Sequence, residues 1–97
     1  MKAVFLSYNQ ALTDRVNAIL DGQGIRGFTR WALTEGRGSV DDEPHYGTHA
    51  WPSVNASILA IVGDEQVAPL LEAFRAMDEA TRMQGSRAFV WNIEQAM

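Results

Sequence analysis

The 97-residue sequence contains no cysteine. A structural disulfide, a zinc ribbon and a thiol nucleophile are therefore excluded. Histidine is scarce as well: the chain has two, His45 and His49, both inside the stretch HYGTHAWP. Basic charge is in deficit, with 8 Lys and Arg against 12 Asp and Glu, for a formal net charge of −4. Nucleic acid and anionic membrane surfaces call for a net basic footprint, so this balance argues against both as partners. No apolar run approaches the roughly 20 residues of a membrane span. The N-terminal stretch MKAVFLSYNQ has one lysine and too short an apolar run for a secretory signal. The expectation is a cytoplasmic protein.

What is present suffices for a folded chain. Hydrophobic residues make up 46% and charged residues 21%, with no low-complexity tract. The length is that of a single domain over residues 1–97. Without cross-links, such a chain depends on its own core or on self-association.

Residues 2–8, KAVFLSY, read as a strand. In the following NQALTDRVNAILDGQG, Leu12, Val16, Ile19 and Leu20 recur at helical spacing. Ser7 or Asn9 is placed to cap that helix, and Gly22 or Gly24 to end it. Residues 27–35 return to strand character, and residues 36–54 lose all periodicity, as a loop does. NASILAIV, residues 55–62, is another strand. Asp64 opens a second helix with Val67, Leu70, Leu71, Phe74 and Met77 on its apolar side. Pro69 predicts either a start nearer Val67 or a bent first turn. After a glycine turn, RAFVWNIE forms the last strand, over 87–94. The order βαββαβ predicts an α+β, ferredoxin-like fold with a four-stranded antiparallel sheet. The first and third strands are the most apolar and belong at its centre.

Strand residues alternate between faces. Val4 and Leu6 oppose Ala3 and Phe5; Ile58, Ala60 and Val62 oppose Leu59 and Ile61; Ala88 and Val90 oppose Phe89, Trp91 and Ile93. Both faces are apolar, yet two helices cover only one. The uncovered face predicts association with further copies, the alternative being that loop 36–54 folds over it.

His45 and His49 are four residues apart, but Pro44 and Gly47 speak against a helix. On a loop both imidazoles can reach one metal ion, with Asp41, Asp42 or Glu43 adding oxygen ligands. That set suits zinc, nickel or copper. A histidine that merely hydrogen-bonds loop backbone is the plainer explanation. Histidine, Ser39 or Ser53 and the nearby acids form a hydrolase triad on paper only, with no nucleophile elbow. GRGS at 36–39 offers backbone N–H groups and Arg37 to an anion. It is not followed by a helix, so it is not a complete phosphate loop. Arg82 and Arg87 flank Gly85 in the second glycine turn, another anion position. Solvated arginines at strand ends are the plainer explanation of each. Trp51, before Pro52, is a loop tryptophan that needs a crevice or a partner to cover it.

The ferredoxin-like order, the two apolar sheet faces, the long loop between the second and third strands and the glycine turn before the last resemble the PII signal-transduction superfamily. The resemblance covers essentially the whole chain. More narrowly, GIRGFTRW, GRGS, HYGTHAWP and MQGSRAFVWN are similar to a divergent PII-like group associated with heavy-metal efflux transporters of the resistance–nodulation–division type. The resemblance implies a regulatory homotrimer rather than an enzyme. It implies an effector, an adenine nucleotide or a divalent metal ion, bound in clefts between subunits. Residues 36–54 then stand at the family's T-loop, which docks on a partner such as a membrane transporter; Asp41, Asp42, Glu43, Tyr46 and Trp51 are its candidate contacts. Gln84, Gly85, Ser86 and Arg87 stand where PII proteins read glycine-aspartate-glycine-lysine, with Arg87 in the lysine's place. The implied ligand residues are Arg37, Gly38, Gly85 and Arg87, with His45 and His49 for a metal. Two further readings are a metal-binding tolerance protein like CutA, which shares the trimeric architecture, and a small ferredoxin-like enzyme.

Overall fold

The computed structural model describes residues 1–37, 44, 46–47, 54–81 and 85–97. Four strands and two helices follow in the order β1 (Lys2–Asn9), α1 (Thr13–Gly22), β2 (Phe28–Thr34), β3 (Asn55–Val62), α2 (Asp64–Ala80) and β4 (Arg87–Asn92). A short 3-10 turn, Gln10–Leu12, leads into α1. The sheet order is β2-β3-β1-β4, and every neighbouring pair is antiparallel. Each βαβ unit is thus split by a strand of the other, as the element order predicts. The two most apolar strands are central, where both edges are paired.

Alternation in the strands divides the sheet cleanly. Val4, Leu6 and Tyr8 of β1 and Ala56, Ile58, Ala60 and Val62 of β3 are buried on one face. Val16 and Leu20 of α1, and Leu70, Phe74 and Met77 of α2, cover them. Burying each large side chain contributes about 1.5–3 kcal/mol. On the opposite face, Trp31, Leu33, Ile61, Phe89 and Trp91 remain between 47% and 68% exposed. Two helices cover one face of the sheet only, and in the single chain the other stays open.

The helix ends follow local chemistry. The Asn9 side chain accepts a hydrogen bond from the Ala11 N–H at 2.9 Å and caps the 3-10 turn. At the far end, Gly24 takes φ = +71°. Its N–H reaches the Asp21 carbonyl at 3.1 Å, and the Ile25 N–H reaches the Leu20 carbonyl at 2.9 Å. This is a Schellman closure, with Ile25 buried behind it.

Three points differ from the sequence expectation or are left open by it, although Asp64 opens α2 as expected. The helix α2 neither starts at Val67 nor waits for Pro69 to pass; it begins at Asp64 and contains the proline. Gln66 Oε1 accepts the Gly63 N–H at 2.9 Å, and the Gln66 N–H donates to the Gly63 carbonyl at 3.0 Å. These bonds close the first turn before the proline can interrupt it. The strand β4 ends at Asn92, so Ile93 and Glu94 lie beyond it, although the Ile93 N–H still reaches the Met1 carbonyl at 3.4 Å. The strand β2 keeps register with β3 through Trp31 and then shifts before Thr34 pairs with Asn55. That irregularity redirects the chain at the base of the long loop.

Candidate functional site

The open face ends in polar residues where β1 finishes and β3 starts. Ser7 of β1 lies opposite both Ser57 of β3 and Arg87 of β4. Asn55 and Ser57 are buried, and the Ser57 and Thr34 hydroxyls are 3.1 Å apart. Two connections converge on this end: Gly36–Arg37 leaving β2, and Gly85–Ser86 entering β4.

These segments enclose a cleft of about 310 Å³, lined by Phe5, Ser7, Gly36, Arg37, Asn55, Gly85, Arg87 and Phe89. The sequence-predicted Arg37, Gly85 and Arg87 therefore share one concavity, although 47 residues or more separate Arg37 from the other two in the chain. Among the described residues its lining holds two guanidinium groups and no carboxylate. Phe5 and Phe89 supply an aromatic wall; Ser7 and Asn55 supply hydrogen-bonding groups. A guanidinium pair beside aromatic rings suits an anion that also carries a flat apolar part.

Local backbone explains the placement. Gly85 has φ = +70°, a region closed to most side chains, and it turns the chain into β4. The Arg87 guanidinium donates to the Ser86 carbonyl at 2.9 Å, which anchors its base at the strand start. Gly36 lies so close to β3 that a Cβ built on it would stand 2.3 Å from Asn55 Nδ2. A side chain there would push Asn55 into the cleft.

Gly38, His45, His49, Asp41, Asp42, Glu43 and Trp51 all lie outside the described residues. Tyr46 is described. It is half-buried and pairs in an antiparallel bridge with Val54. With Leu33, Thr34, Glu35, Gly47 and Val54 it lines a separate concavity of about 450 Å³ at the base of the loop. Among the described residues, no group of three His, Cys, Asp or Glu side chains could hold a metal ion.

Four cleft residues escape sequence reasoning: Phe5, Ser7, Asn55 and Phe89. A signal for two of them exists in hindsight. Ser7 and Asn55 are polar residues at the ends of the two most apolar strands. Arg30 also escapes it. It is half-buried on the helix side, where its Nε donates to the Tyr8 hydroxyl at 3.1 Å and a second nitrogen donates to Asn17 Oδ1. It also stands 5.0 Å from the Phe28 ring centre. This is a structural link between β1, β2 and α1, remote from the cleft.

The sequence matches no family model and no curated protein. CPII from Thiomonas intermedia, a nitrogen regulatory PII-like protein solved with ADP, AMP and bicarbonate, is 28% identical, with a TM-score of 0.77; the match covers 95% of this chain and 84% of that one. The apo form of CPII matches at 25% identity and a TM-score of 0.74, covering 95% and 87%. A Thermus thermophilus protein described as PII-like and signalling shares the fold, at 21% identity and a TM-score of 0.67, covering 95% and 85%. The structural neighbours of this chain are thus PII-like signalling proteins, and its mixed α+β, four-stranded antiparallel fold is theirs.

Proposed function

We propose that this chain is a PII-like sensor that binds an adenine nucleotide at the Arg37–Arg87 cleft and signals through residues 36–54. One observation carries the reading: the chain segments on either side of the long loop and of the glycine turn bring Arg37, Gly85 and Arg87 into one aromatic-walled cleft that, among the described residues, holds no carboxylate. CPII, of matching fold, is described with ADP, AMP and bicarbonate bound. Here the guanidiniums of Arg37 and Arg87 take phosphate oxygens, and Phe5 and Phe89 offer surface to the rest of the ligand. The role is regulatory rather than catalytic.

The working assembly is a homotrimer in which the open sheet faces cover one another. Support comes from the row of exposed Trp31, Leu33, Ile61, Phe89 and Trp91, larger in apolar extent than isolated surface residues explain. The cleft lies at the edge of that face, so a neighbouring subunit completes it. Ligand binding then couples to the loop through Gly36 and Arg37, which belong at once to the cleft lining and to the start of the loop. A membrane transporter, of the heavy-metal efflux type, is the proposed partner of residues 36–54, and His45 with His49 the proposed metal contacts there.

Isothermal titration with ADP, ATP, AMP and cyclic AMP tests the nucleotide reading. Saturable heat with at least one, weakened in R87Q, is the expected result. No heat with any of them removes it. Native mass spectrometry of the purified protein gives the stoichiometry and any bound metal in the same experiment.

A further inference from the structure

A second groove lies on the helix side of the sheet edge, between the outer turns of α2 and the start of β4. It measures about 310 Å³ and is lined by Leu71, Phe74, Arg75, Asp78, Ser86, Arg87 and Ala88. Its lining is unlike that of the open-face cleft. Leu71, Phe74 and Ala88 give it an apolar floor, and its polar wall carries both signs of charge.

Ser86 makes this groove more than a surface dent. Its residue is 5% exposed, and its Oγ is buried with no hydrogen-bond partner among the described residues. Buried hydroxyls are nearly always hydrogen-bonded, so one that is not points to a partner supplied from outside. Arg75 is the second observation. Among the described residues its one ion pair is a long one, 3.9 Å to Glu72, with both side chains largely exposed. Such a pair is weak and leaves the guanidinium able to engage a guest.

We propose that this groove binds a free α-amino acid with a short aliphatic side chain. Each lining group then has a complement. The carboxylate takes Arg75 and Arg87, the ammonium takes Asp78, Ser86 Oγ hydrogen-bonds the carboxylate, and the side chain rests on Leu71, Phe74 and Ala88. A simple inorganic anion would leave Asp78 facing like charge and the apolar floor unused. Arg87 lines both concavities. The guanidinium drawn to one ligand is less available to the other, so the two sites are coupled and each ligand lowers affinity for the other. The site itself stands without the nucleotide reading; only this coupling rests on it.

The test is an amide-resolved NMR titration of the intact, assembled protein with L-leucine, and with isocaproate and isoamylamine as its one-charge analogues. Saturable shifts at Phe74, Ser86 and Ala88 are expected with leucine, and binding about tenfold or more weaker for either analogue. R75Q and D78N each lose a comparable factor, and S86A loses a smaller one. All three substitutions leave the apolar core in place, and retained amide dispersion verifies folding. Isocaproate binding as tightly as leucine, or leucine shifts confined to Phe5, Ser7 and Asn55, overturns the proposal. So does the absence of saturation with leucine, valine and isoleucine. Failure of nucleotide binding in a separate titration would remove the coupling and leave the amino-acid site standing.

Discussion

Arg87 is the residue on which most of the chemistry converges. It starts β4, pairs in register with Ser7, donates to the Ser86 carbonyl and lines two concavities. Charge-assisted hydrogen bonds to a phosphate contribute about 1.5–3 kcal/mol each, so R87Q should weaken nucleotide binding by roughly 10- to 100-fold in calorimetry. R37Q should act in the same direction. Gly36 is a steric control of the same cleft. A methyl group there meets Asn55 Nδ2 at 2.3 Å, so G36A forces Asn55 to move. Overpacking of this kind costs about 1–3 kcal/mol, and thermal melting should report it alongside a loss of affinity. Asp64 gives a pH signature. The N-terminal ammonium donates to its carboxylate at 2.7 Å and holds its pKa below the ordinary aspartate value of 3.8. A carboxylate with a depressed folded-state pKa stabilises the protein above its unfolded pKa and loses that contribution as pH falls through the folded one. The stability difference between the parent chain and D64N should therefore be constant at neutral pH. It should shrink below about pH 4 in acid titrations followed by circular dichroism. The Arg87 part of this was legible in the sequence, because a glycine turn before a strand is a local pattern. The Ser7 and Asn55 part was not, because only strand pairing brings those two residues to the arginines.

At the scale of elements, turn chemistry fixes where α1 stops and where α2 starts. Gly24 occupies a positive φ inside the Schellman closure, and any Cβ there is strained whatever the surrounding space. G24A should cost about 1 kcal/mol in chemical denaturation. Helical periodicity announced both helices, and most of the apolar stripes named from it pack, Val16 and Leu20 in α1 and Leu70, Phe74 and Met77 in α2, whereas Leu71 stays outside the core. Pro69 was misleading for a physical reason. A proline near a helix start forfeits one N–H bond, but the Gly63–Gln66 bonds and the burial of Leu70 and Phe74 outweigh that loss. Local capping bonds and tertiary packing together set the boundary against the cost of the proline.

At the scale of the whole molecule, the open sheet face is the dominant feature. Its exposed residues come from β2, β3 and β4, so it spans the sheet rather than one edge. A charge on this face would be buried in an assembly and solvated in a single chain. F89E or W91E should therefore dissociate the proposed trimer while leaving the helix-side core intact. Sedimentation velocity should show a single-chain species with an unchanged far-ultraviolet spectrum. A parent protein that sediments as a single chain would remove the trimer and, with it, the subunit that completes the cleft. Among the described residues no helix is long and apolar enough to cross a membrane.

The sequence by itself determined the element order, the strands that are central, which strand residues share a face, and that two helices leave one face open. These follow from period-2 and period-3.6 patterns, which are properties of neighbouring residues. It also singled out Arg37, Gly85 and Arg87, since glycine-flanked arginines at strand ends stand out locally. Tertiary structure alone decided that those residues share one cleft, that Phe5, Ser7, Asn55 and Phe89 complete its lining, and that Arg87 faces a second groove as well. The physical reason is the antiparallel ladder. It sets Ser7 against Arg87 across 80 residues of chain and Asn9 against Asn55 across 46, and no pattern confined to neighbouring residues carries that register.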